Sequence, residues 1–397
     1  MCWVRCAINE RLMGRGRGFR DPFFEVVAAL LVVAAGGCGV DERPDGPLAY
    51  LGESVIHPAP QDADDPPIGG LSSLFHVGGG IYYAVSDDSG QRGPARYYTI
   101  SVDLTDGSLD QPDVTVNAWH RLLDQNGEPL EAGTYDLEGF VARGQNFFVS
   151  SEGNASEGIP PFIAVFGPDA VMIERLGLPP GFAPSTDGTT GVRSNRAFES
   201  LAITADGKYL FTATESALRQ DGPAATPTRG SRVRILRFAR EQGVFDAQYA
   251  YDVDPVHTAP PGDGLAANGL VELLALSAEQ LLVLERSFVA GADPEHSSKL
   301  FEACLGSATD VSQIPSLADA DTVVVPAQKR LIADLADLVP HIDNVEGMTF
   351  GPDLPSGEPT LVVVTDNNFN PERQVTQIIA FKIRPQALQG CSTGGLR

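Results

Sequence analysis

The stretch FESLAITADGKYLFTATES, residues 198–216, decides the architecture of this chain. It opens with an acid among apolar residues, turns at Ala205-Asp206-Gly207-Lys208, and continues as an apolar strand ending in Thr214-Glu215. Asp-Gly between two apolar runs favours a tight hairpin. The pattern returns in GGLSSLFHVGGGIYYAVSDD (69–88), LEGFVARGQNFFVSSEGN (137–154), NGLVELLALSAEQLLVLERS (268–287) and VEGMTFGPDLPSGEPTLVVVTDNN (345–368). Its strand-terminal acids are Asp87, Glu152, Glu215, Glu285 and Asp366, spaced 65, 63, 70 and 81 residues apart. Three repeats carry a further acid on the preceding strand: Glu138, Glu199 and Glu346.

Intervals this even fit one supersecondary unit of about four strands repeated radially. The expectation is an all-β β-propeller with five repeats, a sixth, degenerate blade being the alternative. Val233–Phe238 alternates as a half-buried strand does, and helical spacing is confined to Leu331–Leu338. The 42 Gly and 30 Pro supply turns. An edge strand around Leu51–Ile56 is expected to pair with Gln377–Ile383, so that the two termini close the ring and leave no free edge.

The first 37 residues read as a signal peptide of the lipoprotein type. Arg11, Arg15, Arg17 and Arg20 precede an apolar run, Val26–Ala35, too short to span a bilayer. Ala35-Gly36-Gly37-Cys38 then resembles a bacterial lipobox, making Cys38 the expected site of lipidation; an ordinary signal peptide or uncleaved anchor is the competing reading. Residues 38–68 are expected to be a tether and closing edge strand, 69–390 the propeller and 391–397 a C-terminal tail. The expected location is the bacterial cell envelope, exported and lipid-anchored. In an oxidising compartment the two remaining thiols, Cys304 and Cys391, suggest one disulfide.

The formal charge is −24, and the chain after residue 37 holds 49 acidic against 23 basic side chains. Such a surface repels nucleic acid and anionic membrane, leaving the lipid as the only membrane contact. Acids placed equivalently on every blade meet at a central channel. There they bind cations or raise their pKa values. Asp87, Glu138, Glu152, Glu199, Glu215, Glu285, Glu346 and Asp366 are thus candidate metal ligands, and Ca²⁺, which takes six to eight oxygens, is the expected ion. The competing reading is that each acid caps a turn or bonds amides of the next blade. No G-x-S-x-G elbow, phosphate-binding loop or dinucleotide fingerprint is present, and the six histidines show no recognisable spacing to a serine.

The residues Asn195–Ala202, Asp206–Leu210, Thr214-Glu215, Leu282–Arg286, Asn344–Met348 and Thr365–Phe369 resemble the signatures of the phytase-like (esterase-like activity of phytase) family, a likeness covering most of the chain after Gly69. The resemblance implies an exported β-propeller and hydrolysis of phosphate or carboxylic esters assisted by Ca²⁺. Arg196, Arg286 and Arg373 are the candidate substrate-binding residues, although Arg196 and Arg286 could equally pair with acids beside them. No dense basic cluster accompanies them, which sets phytate itself in doubt. A lactonase-type propeller and a non-catalytic, calcium-stabilised binding module are the rival readings. The protein is expected to act as a monomer on a small-molecule ester or phosphate.

Overall fold

The computed structural model describes residues 46–58, 65–319, 323–384 and 387–391. The leader and Cys38 lie outside the described residues. A compact unit runs from Asp45 to Arg397, and among the described residues its regular structure is strand and short 3₁₀ turns, with no α-helix.

After β1 (Leu48–Ile56) the chain builds four blades in sequence order. Blade one is β2 (Phe75–Gly78), β3 (Ile81–Val85), β4 (Arg96–Val102) and β5 (Val114–Arg121). Blade two is β6 (Leu137–Arg143), β7 (Asn146–Ser151), β8 (Phe162–Phe166) and β9 (Met172–Arg175). Blade three is β10 (Ala202–Ile203), β11 (Tyr209–Ala213), β12 (Ser231–Ala239) and β13 (Val244–Val253). Blade four is β14 (Ala266–Ala275), β15 (Gln280–Val289), β16 (His296–Cys304) and β17 (Gln328–Asp334). Blade five is composite: β18 (Val345–Phe350), β19 (Thr360–Thr365) and β20 (Thr376–Ile383), completed by β1. All neighbours within a blade run antiparallel, and the ring has five blades, not six.

The closure expected from the sequence is present. β1 pairs with β20 from Leu48–Ile383 to Ile56–Thr376, so the outermost strand of the last blade comes from the N-terminal side of the chain. This removes the edge that an open array would expose.

Five apolar cores hold the ring, one between each pair of neighbouring blades. Phe381 is fully buried between blades four and five; truncation to Ala there would cost about 3–5 kcal/mol. Toward the axis the blades approach until only small residues fit. A Cβ on Gly139 would lie 2.6 Å from the Leu201 backbone nitrogen of blade three, and one on Gly347 2.8 Å from Cα of Ser73 in blade one. The recurrent Glu-Gly pair thus packs inner strands together with its glycine and aims its acid at the channel.

At the ring's other end, Cys304 on β16 is bonded to Cys391, tying the last described residue to blade four.

Candidate metal centre on the propeller axis

The strand ladders define which residues are equivalent from blade to blade. Leu71–Ser86, Leu137–Ser151, Phe198–Thr214, Leu270–Glu285 and Val345–Thr365 are corresponding antiparallel pairs. One residue further along the second strand lie Asp87, Glu152, Glu215, Arg286 and Asp366. In four blades this residue donates its backbone N–H to a carbonyl on the inner chain, that of Gly70, Asp136, Ala197 or Asn344, at 2.8–2.9 Å. In blade four Arg286 pairs with Gly269 in the same way. The rim is therefore four acids and one arginine, and a second tier below it holds Ser72, Glu138, Glu199, Val271 and Glu346.

This register corrects the reading of Glu285, which lies one residue short of the rim in the slot of Ser86, Ser151, Thr214 and Thr365. Side chains alternate along a strand, so a shift of one residue moves Glu285 off the axis. It accepts hydrogen bonds from Tyr251 Oη at 2.7 Å, the Asp254 amide at 2.9 Å and Lys329 Nζ at 2.6 Å. Burial raises its pKa while the Lys329 charge opposes that rise. Arg373 also departs from expectation: it is exposed on the loop after Asn370 and does not line the axial cavity.

The other sequence candidates converge. Asp87, Glu138, Glu199, Glu215, Glu346, Asp366, Arg196 and Arg286 line one cavity of about 270 Å³ together with Asp136, which sequence reasoning missed. Glu152 sits just behind it; its oxygen and those of Asp136 and Glu138 all lie within 4.8 Å of one another. Glu152 also accepts from the Ala197 amide of the next blade and shares a hydrogen bond with Glu199. The competing reading, an acid bonding a neighbouring blade's amide, thus holds for one of its oxygens.

Seven lining carboxylates face two guanidiniums. Arg286 Nη2 stands 3.1 Å from Glu346 Oε1 and 3.7 Å from Glu215 Oε1, and its Nη1 donates to Asn344 Oδ1 at 3.1 Å. Burial works against its charge, but Glu346, Glu215, Glu199 and Asp366 outweigh burial and hold its pKa above the ordinary value. The acids lack enough such partners. Burial first, then repulsion from Asp136 and Glu346, pushes Asp87 up to about 7. Burial and Glu152 push Asp136 up to about 8. Burial takes Glu152 and Glu346 to about 7 each, and Glu138, Glu199 and Asp366 rise well above the usual carboxylate range for the same first cause.

These residues fit a hard divalent cation. Asp366 is 2% exposed, lines the cavity, and its Oδ1 has no hydrogen-bond partner. A buried oxygen without a donor costs about 1–3 kcal/mol unless something positive meets it. The walls keep the ligands in place. A Cβ on Gly269 would strike Cγ of Glu215 at 2.3 Å, and one on Gly70 would strike Oδ1 of Asp87 at 1.9 Å, with φ there at +64° as well. Asn195 and Asn368, at φ of 55° and 46°, turn the chain at the cavity lip in a conformation that Asn tolerates better than most residues.

Among the histidines, His257 meets a serine that the spacing did not suggest: its Nδ1 lies 2.8 Å from Ser287 Oγ. That hydroxyl also accepts from the His257 amide and donates to the Ala267 carbonyl, and Ser287 is 4% exposed. It pins two strands together and presents no free nucleophile.

Fold and site together define a five-bladed propeller with an acidic axial centre. The sequence matches the phytase-like family, esterase-like activity of phytase, over residues 66–369, and the chain belongs to that family. No curated protein matches it. Among solved structures, the catalytic domain of a GH62 α-L-arabinofuranosidase from Coprinopsis cinerea is 9% identical, covering 85% of this chain and 98% of that one at a TM-score of 0.41. A thermostable family-43 glycoside hydrolase is 11% identical, covering 86% and 98% at 0.40. The Dos1 propeller is 8% identical, covering 80% and 68% at 0.33. Likeness at this level says nothing of activity.

Proposed function

We propose that the protein is a Ca²⁺-dependent hydrolase of phosphate or carboxylic esters. The observation that carries this reading is the axial cavity, where seven carboxylates converge on two guanidiniums and Asp366 keeps an oxygen unpartnered. Family membership supports it from an independent direction. Asp136, Glu138, Glu152, Asp87 and Asp366 are the residues that would hold the ion, which when bound supplies Lewis-acid polarisation of an ester oxygen and a more acidic water.

The chain's own residues do the rest. Arg286 and Arg196 face the same space and hold the anionic part of the substrate, the guanidinium fork matching a carboxylate or phosphate. Glu346, with a pKa near 7 and 3.1 Å from Arg286, can exchange a proton at neutral pH. Hydrolysis consumes one water: the ester bond breaks, the acid keeps the water's oxygen, and the alcohol leaves with a proton. Turnover of p-nitrophenyl phosphate and p-nitrophenyl acetate, measured with and without a chelator, tests this. Activity lost on chelation and restored by Ca²⁺ supports it; activity indifferent to chelation overturns it.

The basic-apolar leader and Cys38 support an exported, lipid-anchored protein acting in the cell envelope. Mass spectrometry of the mature N-terminus checks this: diacylglycerol on Cys38 is expected, and an unmodified upstream residue would refute the anchor.

A further inference from the structure

Blade four departs from its neighbours a second time. β14 and β15 have 10 residues each, whereas the inner strands β2, β6, β10 and β18 have 4, 7, 2 and 6. The extra length lies beyond the rim. Past the rim pair Gly269–Arg286 the ladder continues through Ala267–Phe288 to Ala266–Val289. Leu265, Ala266, Ala267 and Phe288 consequently line one side of the axial cavity, and Leu265 is 77% exposed.

Contacts within blade four brace this overhang. The Phe288 ring lies 5.1 Å from that of His296. Ser287 Oγ holds the Ala267 carbonyl at 3.1 Å and is itself held by His257. The two alanines leave room where larger side chains would fill the cavity. Apart from Ser72, Asn195, Arg196, Arg286 and Asn368, the rest of the lining is acidic.

We propose that the overhang is a substituent pocket that selects esters carrying a compact apolar group, about the size of a phenyl ring, and a single anionic group. This rests on the hydrolase reading above and deepens it. A polyanion entering a cavity of seven carboxylates and two guanidiniums needs an extra cation for every further charge. An apolar substituent needs none, and gains by leaving water against Leu265, Phe288 and the alanines.

The test uses full-length protein loaded with Ca²⁺ and two phosphonates that cannot be hydrolysed as esters. Calorimetry compares phenylphosphonate with methylphosphonate. Phenylphosphonate is expected to bind roughly tenfold tighter, as burial of about 50 Å² of apolar surface requires. Leu265→Ser, at an exposed position, should reduce that ratio to about threefold, and Ala267→Phe, which fills the pocket, should abolish it. Inositol hexakisphosphate should bind no tighter than methylphosphonate. A wild-type ratio near one, or a ratio indifferent to both substitutions, overturns the pocket. The hydrolase reading fails separately: a tenfold ratio without chelator-sensitive turnover leaves the pocket standing and removes the reaction, while turnover with a ratio of one removes only the pocket.

Discussion

Replacing Arg286 by Met keeps much of the volume and removes the one positive charge in the rim. At 3.1 Å from Glu346, and with an effective dielectric of about 20, the attraction is about 5 kcal/mol, with a similar contribution from Glu215 at 3.7 Å. Desolvation of the guanidinium offsets a large part of this. Breaking one side of such a buried pair costs about 3–5 kcal/mol, because the remaining charges stay uncompensated. A unit of roughly 350 residues has an unfolding entropy near 0.7 kcal/mol per kelvin. Arg286→Met should therefore lower the melting temperature by about 4–7 K in chelator at pH 8. The loss should shrink at pH 5.5, where Glu346, with a pKa near 7, carries a proton and needs no partner. Adding Glu346→Gln should recover part of it, since the orphaned acid is then gone. Differential scanning calorimetry of the two single variants and the double variant decides. A melting temperature within 1 K of wild type at pH 8 in chelator would refute the reasoning.

Three further outcomes follow from the same geometry. In chelator, wild-type stability should fall as pH rises from about 4.5 to 8. A carboxyl whose folded pKa lies above its unfolded value holds its proton more tightly when folded, and a shift from 4.5 to about 7 at Glu346 alone represents roughly 3 kcal/mol; saturating Ca²⁺ should flatten this slope, and a thermal melt series that is flat without Ca²⁺ would contradict it. Gly70→Ala, at φ +64°, drives a methyl to 1.9 Å from Asp87 Oδ1, so it should weaken Ca²⁺ binding about tenfold in calorimetry while destabilising the fold by about 1–3 kcal/mol. Replacing Cys304 and Cys391 by Ser opens a loop spanning 87 residues of sequence separation, at a cost of about 4–5 kcal/mol in denaturant unfolding by the chain-entropy estimate, with no change in Ca²⁺ affinity.

The ring was legible because each blade repeats an apolar strand, a turn and a polar tip; the blade count was not, and the strand ladders fix it at five. The closing strand was expected around Leu51–Ile56 beside Gln377–Ile383, and the observed β1 starts three residues earlier, at Leu48. The site was read one residue out of register in blade four. Searching for an acid after an apolar strand selects Glu285, but Asp87, Glu152, Glu215 and Asp366 each follow a hydroxyl residue, Ser86, Ser151, Thr214 or Thr365. Aligning on that hydroxyl places Glu285 in its slot and Arg286 on the rim. Asp136 escaped notice because its counterparts are Gly70, Ala197, Gly269 and Asn344, so no repeat signal marks it. Neither could the sequence show the overhang of β14 and β15, since it depends on where the rim cuts the strands.

A crystal soaked in terbium, a trivalent substitute for Ca²⁺, would locate any axial ion directly by anomalous scattering. A peak bonded to oxygens of Asp366 and the Asp136, Glu138 and Glu152 group is the predicted result. A clean map there, with those carboxyls protonated and bonded to one another at neutral pH, would contradict it.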